Sequence, residues 1–359
     1  MGKRLTRLIE IRQNDVECYQ QLSEFLPEKI FDVHAHIWRL SDYQKSMNPD
    51  SRFVSWPLRV ASENPVEHLI ETYKVLLPDK SVIPLMFPNI PSGNNLDNIN
   101  DYAEICSKKT GYPSLIFSSP YWSAEDLERR VQKGGFLGAK SYMSMLPENI
   151  PANSIRIFDY FPRHQLEIHD KHGWIVMLHI PKDGRLKDPE NLKDLLEIDE
   201  RYQNIQLIVA HVGRAYCDED AGNAFEILKK TKRIMFDISA NTNENIFFRL
   251  IDCVGPDRIL FGSDMPITRM RMKRITKNAV YVNLVPAGLY GDVSGDKHMQ
   301  EVKGKDAEKL TFFLYEEIFA FKRACERHSL GKNEIKKIFC DNAERIIKKA
   351  RNKQKERYD

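Results

Sequence analysis

Short apolar runs that alternate with amphipathic stretches restrict the fold of this chain more than any other feature. A first run at 30–38 is followed by seven more, at 81–87, 114–118, 136–142, 174–180, 205–212, 233–239 and 258–264. Between most of them lie stretches with helical spacing of apolar residues, at 97–108, 124–133, 189–202 and 222–231. This alternation indicates a parallel sheet, and eight such units predict an α/β fold, a closed (β/α)₈ TIM barrel. No Gly-x-Gly-x-x-Gly follows a strand, which disfavours an open dinucleotide-binding sheet.

Segments outside this alternation predict additions to the barrel. An N-terminal helical stretch covers about 4–28, and a long insertion at 39–75 ends in a helix near 66–76. A second, irregular insertion at about 270–306 precedes two closing helices near 307–328 and 333–350. Insertions of this length usually form lids or binding loops, so we expect both to cover the mouth of the barrel. We interpret residues 1–359 as one domain, with the barrel core and closing helices at about 30–350.

Composition bounds the class of protein. A hydrophobic fraction of 42% allows a sizeable core, and a net charge of +3 gives no sign of a nucleic-acid or membrane partner, because the basic residues are scattered except for a solvated C-terminal end. The six cysteines are far apart and predict reduced thiols rather than disulfides. No secretory leader or membrane span is evident. These features predict a cytoplasmic protein with a small-molecule substrate, and they leave a homo-oligomer such as a dimer open.

The first strand carries two histidines near its carboxyl end. A period of two places Asp32, His34 and His36 on one face and the apolar residues between them on the other. Two imidazoles spaced in this way can reach one cation. A His-x-His pair taken alone is equally compatible with histidines whose hydrogen bonds are satisfied in a core or at a surface.

Matching residues at later strand ends favour the functional interpretation. The fourth, fifth, sixth and eighth strands end in Lys140, His179, His211 and Asp264, each after a run of apolar residues. A polar group there is costly unless it is paired, binds a metal or lies at the rim. In a TIM barrel the carboxyl ends of the strands build the active site. Zincin, Gly-x-Ser-x-Gly and Walker motifs are absent, which disfavours those protease, serine-hydrolase and NTPase classes.

The ordered set of motifs resembles the amidohydrolase superfamily, within it the amidohydrolase-related (amidohydrolase 2) branch that includes amino-carboxymuconate-semialdehyde decarboxylase-like enzymes. The resemblance rests on Asp-Val-His-Ala-His at 32–36, His179, Ala-His-Val-Gly-Arg at 210–214, Gly-Ser-Asp-Met-Pro at 262–266 and Asp-Asn-Ala-Glu-Arg at 341–345. It covers about residues 30–350.

This resemblance implies one divalent metal ion, held by His34, His36, His179 and Asp264. Three imidazoles and a carboxylate suit Zn²⁺, with Mn²⁺ and Fe²⁺ as alternatives. The resemblance further implies that Asp264 moves a proton between water and the leaving group, and that His211 polarises the substrate or acts as an acid or base.

Lys140 leaves two arrangements open. In one, a carboxylated lysine bridges two metal ions, and His179 and His211 bind the second. In the other, which we favour, one ion is bound and Lys140 contacts a substrate carboxylate or donates a hydrogen bond. Tyr142 and Arg214 are further candidates for substrate binding, or else surface or supporting residues.

The expected activity is that of a metal-dependent hydrolase acting on an amide, ester or lactone of a small carboxylated metabolite through a metal-activated water. The alternative is a metal-dependent decarboxylase of the same family. A barrel that only binds a ligand is a third interpretation, disfavoured because all five residues of the histidine and aspartate set are present.

Overall fold

The computed structural model describes residues 9–42, 56–89 and 96–355, with side chains through residue 352. Eight parallel strands follow the predicted runs: β1 Lys29–Ile37, β2 Ser81–Pro88, β3 Ile116–Phe117, β4 Gly138–Lys140, β5 Ile175–Leu178, β6 Gln206–Val209, β7 Met235–Asp237 and β8 Ile259–Leu260. The helices before and between them are α1 Gln13–Ser23, α2 Trp56–Val60, α3 Val66–Leu76, α4 Leu96–Thr110, α5 Ala124–Gly134, α6 Ile157–Tyr160, α7 Arg163–His172, α8 Pro189–Arg201, α9 Ala224–Leu228 and α10 Glu244–Val254.

Backbone hydrogen bonds join the strands into a closed ring. β1 pairs with β2, and β3 to β8 pair in sequence order, all in parallel. Leu115 N donates to Met86 O at 2.8 Å and links β2 to β3. Val33 N donates to Phe261 O at 3.0 Å, and Asp264 N donates to His34 O at 2.8 Å, which links β8 back to β1. The structure confirms the α/β TIM barrel.

Two apolar clusters separate the inside of the barrel from its surroundings. Ile175 and Met177 of β5 belong to an inner cluster, whereas Val176 and Leu178 belong to an outer cluster that packs against the helices. This alternation follows from the period of two along a strand. The inner cluster also contains Phe31, Val33, Leu85, Phe87, Leu115, Leu137, Ile208, Met235 and Leu260, with Ile346 and Ile347 from the last helix.

The predicted alternation along β1 is wrong for Asp32, because the pairing register with β2 shifts between Asp32 and Ala35. The Asp32 carboxylate faces α3, where Tyr73 Oη donates to it at 2.6 Å, and it also accepts a hydrogen bond from Ser263 N at 2.8 Å. Val33 lies in the inner cluster and Ala35 in the outer one. An irregularity of this kind re-aims side chains. It separates Asp32 from the two histidines.

The insertion at 270–306 was predicted to be irregular, and this prediction is wrong. It forms most of a four-stranded accessory sheet. Its strands are β9 Arg271–Lys277, β10 Val280–Pro286, β11 Met299–Val302 and β12 Thr311–Phe312, in the order β11-β10-β9-β12. β9 and β10 form a hairpin through Asn278 and Ala279, whose φ angles are 52° and 59°. Positive φ at both positions matches a two-residue hairpin turn, but Asn-Ala lacks the glycine that usually marks this turn in a sequence.

The remaining additions frame the barrel. Residues 43–55 of the 39–75 insertion lie outside the described residues, but α2 is attached to the accessory sheet by Trp56 Nε1, which donates to Asp296 Oδ2 at 2.6 Å. The short helix α11 Lys305–Glu308 lies between β11 and β12, and after β12 the chain forms α12 Phe313–Arg327, α13 Lys332–Lys336 and α14 Asn342–Lys355. None of the described helices is long and apolar enough to cross a membrane.

A buried ion pair fastens α1 to the accessory sheet. Arg271 donates from Nη1 and Nη2 to the two carboxylate oxygens of Asp15, at 2.8 and 2.7 Å, and Thr311 Oγ1 donates to the same carboxylate at 2.7 Å. Asp15 and Arg271 are 1% and 4% exposed. Removing one partner would leave a buried charge without compensation.

We therefore expect Asp15→Ala to lower the free energy of unfolding by about 3–5 kcal/mol in urea denaturation. The matched control is Glu104→Ala, which breaks an exposed pair with Lys108 and is expected to cost less than about 1 kcal/mol. A loss below about 1 kcal/mol in Asp15→Ala would contradict the role of this pair.

Candidate active site

A cavity at the carboxyl ends of the barrel strands brings together side chains that are distant in sequence. Of the predicted site residues, it is lined by His34, His36, Lys140, Tyr142, His179, His211 and Asp264. The cavity contains about 960 Å³ of empty space, which includes its opening to solvent. Apolar and aromatic side chains from α2, α12 and the accessory sheet form part of the remaining wall, so the second insertion does border the cavity.

Hydrogen bonds orient the imidazoles of His34 and His211. His34 Nδ1 lies 2.9 Å from Asp237 Oδ2, and His211 Nδ1 lies 3.1 Å from Ser239 O. Ser239 Oγ donates to Asp237 Oδ1 at 2.5 Å, so its proton is not available to either ring. A carboxylate and a carbonyl oxygen only accept, and therefore Nδ1 donates in both histidines. The Nε2 lone pair of each ring is then free for a proton or a cation.

Asp264 lies among these Nε2 atoms. Its Oδ1 is 3.4 Å from His34 Nε2 and 3.3 Å from His36 Nε2. Ligand atoms of His34, His211 and Asp264 all lie within 4.8 Å of one another. His36 Nδ1 lies 3.4 Å from Pro88 O. This contact orients the His36 ring so that its Nε2 faces the Asp264 carboxylate. Burial raises the pKa of Asp264, but the surrounding histidines outweigh it and lower that pKa to about 2.

His179 lies in the same cavity on the side of Tyr142, whose ring centroid is 4.7 Å away, but it is not among the three residues whose ligand atoms lie within 4.8 Å of one another. Tyr160 Oη donates to its carbonyl oxygen at 2.7 Å. Within the described residues, His179 Nδ1 and His34 Nε2 are buried without a hydrogen-bond partner. Burial, and next the charge of Arg214, lower the pKa of His179 well below its usual value.

These residues fit a divalent metal ion. Burial lowers the pKa of His34 and His36, and lowers that of His211 to about 4, so the imidazoles are neutral near pH 7. Neutral imidazoles and an ionised carboxylate are the forms that bind a metal. His34 Nε2 and His179 Nδ1, which are buried without a hydrogen-bond partner in the described part of the chain, are atoms that a bound ion would satisfy.

Lys140 and Arg214 have different surroundings. Lys140 Nζ lies 5.1 Å from the centroid of the Phe87 ring, and burial lowers its pKa to about 8 against the opposing effect of Asp264. Arg214 does not line the cavity. Its Nη1 donates to the carbonyl oxygens of residues 180, 181 and 182 at 3.3, 3.0 and 3.3 Å, which holds the loop after β5. This geometry fits the supporting role left open for Arg214, and a contact with substrate stays a prediction.

The sequence reasoning missed Asp237 and Ser239, which orient the histidines. The signal was present, because Asp237 follows the apolar pair Met235 and Phe236 at the end of β7, as the other site residues follow their strands. It also missed Arg274, which lines the cavity from β9. No local pattern marks that arginine, because the accessory sheet itself was not predicted.

Strained backbone is concentrated at these strand ends. His211, Ala240 and Asp264 have φ angles of 56°, 48° and 56°. Such conformations cost about 1–3 kcal/mol each and persist where neighbouring groups hold them. His211 N donates to Asp237 Oδ1 at 2.8 Å, and Ala240 N donates to Glu317 Oε2 at 2.7 Å. The barrel therefore holds these residues in a conformation that aims their side chains into the cavity.

We expect Asp237→Ala to weaken binding of a divalent metal about 10- to 100-fold, because the partner that orients His34 and sets its tautomer is lost. Competition with a chromogenic chelator measures this affinity. The control is Asp199→Ala. Asp199 is another buried carboxylate, and it accepts hydrogen bonds from backbone groups just before β7, including Arg233 N. Equal metal affinity in Asp237→Ala and wild type would refute the orienting role.

Comparisons with known proteins agree with the barrel fold. Solved structures of similar fold include a 4-oxalomesaconate hydratase from Rhodopseudomonas palustris, 16% identical, with a TM-score of 0.51 over 91% of this chain and 98% of that one. A dihydroxybenzoic acid decarboxylase from Polaromonas sp., with bound manganese and the inhibitor 2-nitroresorcinol, is 15% identical, with a TM-score of 0.52 over 90% and 97%. A putative 2-pyrone-4,6-dicarboxylic acid hydrolase from Pseudomonas putida is 14% identical, with a TM-score of 0.50 over 90% and 99%.

No sequence among the curated proteins matches the chain. The amidohydrolase model (Amidohydro_2) matches residues 31–287, which span β1 to β10 and include every predicted site residue. These structural likenesses establish the fold, and the family match covers more than half of the sequence. The chain therefore belongs to the amidohydrolase family, and to its metal-dependent amidohydrolase 2 branch.

Proposed function

We propose that this protein is a metal-dependent hydrolase that cleaves an amide, ester or lactone bond of a small carboxylated metabolite. The observation that carries the proposal is the convergence of imidazole nitrogens on the ionised carboxylate of Asp264 in one cavity. Carboxylate and imidazole groups at one site supply both a metal-binding set and a proton acceptor.

His34, His36, His179 and Asp264 would hold one divalent ion. Zn²⁺ suits these donors, and the manganese in the dihydroxybenzoic acid decarboxylase structure makes Mn²⁺ a reasonable alternative. A bound ion of this kind lowers the pKa of water and polarises a carbonyl group. Asp237 fixes the His34 ring that would bind it.

Proton transfer falls to Asp264 and His211. The Asp264 carboxylate is ionised, so it accepts a proton from the attacking water and passes it to the leaving group. His211 presents an unprotonated Nε2, because its Nδ1 donates to Ser239 O. In this tautomer His211 accepts a proton first, and it donates to the substrate only after it is charged.

Lys140 provides a cation for a substrate carboxylate. Its ammonium group lies over the Phe87 ring, and it makes no ion pair with the residues that the structure describes. Tyr142 lines the cavity beside His179. We assign both residues to substrate binding.

Decarboxylation is the second candidate, and the apolar wall of the cavity favours it. Trp56, Tyr281 and Phe313 line the space next to the histidines. A substrate carboxylate that is desolvated in this apolar space is destabilised. Its conversion to neutral CO₂ then has a lower activation free energy. The fold does not choose between the reactions, since a decarboxylase, a hydratase and a putative hydrolase share it.

We expect His34→Ala and Asp264→Asn to reduce turnover at least about 100-fold with the fold retained, because both side chains serve chemistry at the cavity. Metal-loaded enzyme is assayed on carboxylated amides, esters and lactones by pH-stat, and on aromatic acids by CO₂ release. His164→Ala, at an exposed histidine on α7, is the control. Activity within about tenfold of wild type in either site variant would refute the assignment.

Metal stoichiometry separates one ion from two. With Lys140 as an uncarboxylated substrate contact, purified protein is expected to hold about one ion per chain, and Lys140→Ala to keep it while substrate affinity falls. Elemental analysis and the mass of the peptide that carries Lys140 measure both points. Two ions, with loss of at least one in Lys140→Ala, would establish a bridging carbamate instead.

A further inference from the structure

We propose that Arg274 binds a second anionic group of the substrate, so that the cavity selects a planar, conjugated dicarboxylate. The inference rests on the proposed function, because one end of the ligand is taken to face the histidines and Asp264. Arg274 reaches the same cavity from β9 of the accessory sheet. It belongs to none of the motifs by which the chain resembles its family.

The Arg274 side chain is fixed in place. Its Nε donates to Asn283 Oδ1 at 2.8 Å, and its Nη1 donates to Ala240 O at 2.7 Å. The guanidinium carbon lies 4.6, 4.7 and 4.8 Å from the ring centroids of Phe313, Tyr281 and Tyr216. Its Nη2 has no hydrogen-bond acceptor within the described residues. A guanidinium held in this way retains a donor for a ligand at little cost in side-chain entropy.

The charge of Arg274 lacks a counter-ion among the residues that the structure describes. Arg185 provides a comparison, because it lies 5.4 and 5.0 Å from the same Tyr216 and Tyr281 rings. Arg185 pairs with Asp220 at 2.6 Å, whereas Arg274 forms no ion pair. Arg274 is partly exposed and also borders a shallow surface pocket, so water solvates part of its charge, but an anion placed beside it is still attracted to it. An anion brought by the ligand would compensate it.

The surroundings restrict the chemistry of that ligand. The rings around Arg274 also line the cavity, and flat side chains favour a flat, conjugated molecule between them. A guanidinium matches the geometry of a carboxylate better than that of other small anions except phosphate. Asp264 is the one acidic side chain among the lining residues described, so the wall carries little negative charge that would repel a dianion.

Isothermal titration calorimetry of the metal-loaded protein tests the assignment with three probes: isophthalate, 3-acetylbenzoate and benzoate. 3-Acetylbenzoate keeps the shape of isophthalate but replaces one carboxylate with a neutral ketone. We expect wild type to bind isophthalate at least about tenfold more tightly than 3-acetylbenzoate, the effect of one charge-assisted hydrogen-bonded pair.

Arg274→Gln is expected to abolish this preference, and Arg274→Lys to keep part of it, because a lysine retains the charge but not the fork of donors. Lys273→Gln is the matched control, since it removes one positive charge from the neighbouring exposed position of β9 and should leave the preference unchanged. Urea denaturation of each variant separates a loss of ligand selectivity from a loss of stability.

Either of two results would overturn the role of Arg274 and leave the proposed function standing. One is a preference for the dianion that survives Arg274→Gln, and the other is metal-dependent binding of benzoate with no gain in affinity from a second carboxylate. If none of the three probes shows metal-dependent binding, the proposed function itself fails and the role of Arg274 with it. A preference lost in Arg274→Gln at unchanged stability supports the proposal.

Discussion

The backbone pairing that closes the barrel between β1 and the chain after β8 is the constraint on which the site depends. Asp264 N donates to His34 O at 2.8 Å, and His36 N donates to Met265 O at 2.9 Å. These bonds place the two histidines directly beside the aspartate, although more than half of the sequence separates them. The 3.3 and 3.4 Å contacts between Asp264 and the imidazoles follow from this pairing. Closure of the barrel therefore brings these candidate metal ligands together.

A second consequence concerns charge. The cavity gathers imidazoles, Lys140 and Arg274 around a single lining carboxylate among the described residues, and much of its wall is apolar. Hydrogen bonds to Asp237 and Ser239 orient two members of this group, His34 and His211. The cavity is also well suited to an anionic ligand, because Lys140 and Arg274 form no ion pair with the described residues.

The sequence predicted the barrel and most of the polar residues that line its cavity because both depend on local patterns. Apolar runs of strand length marked all eight strands, and a polar residue after such a run marked His179, His211 and Asp264. The face of Asp32 was wrong because a shift of register in β1 leaves no trace in the alternation of residue types. The accessory sheet was missed because its hairpin turns at Asn278 and Ala279 without a glycine, and Arg274 was missed with it.

Anomalous diffraction from crystals soaked in Mn²⁺, recorded at the manganese edge, tests the central claim most directly. The account predicts one strong peak per chain, within bonding distance of His34, His36, His179 and Asp264. A peak at another place would contradict the proposed metal site. Two peaks bridged by Lys140 would replace the single-ion account with a dinuclear one.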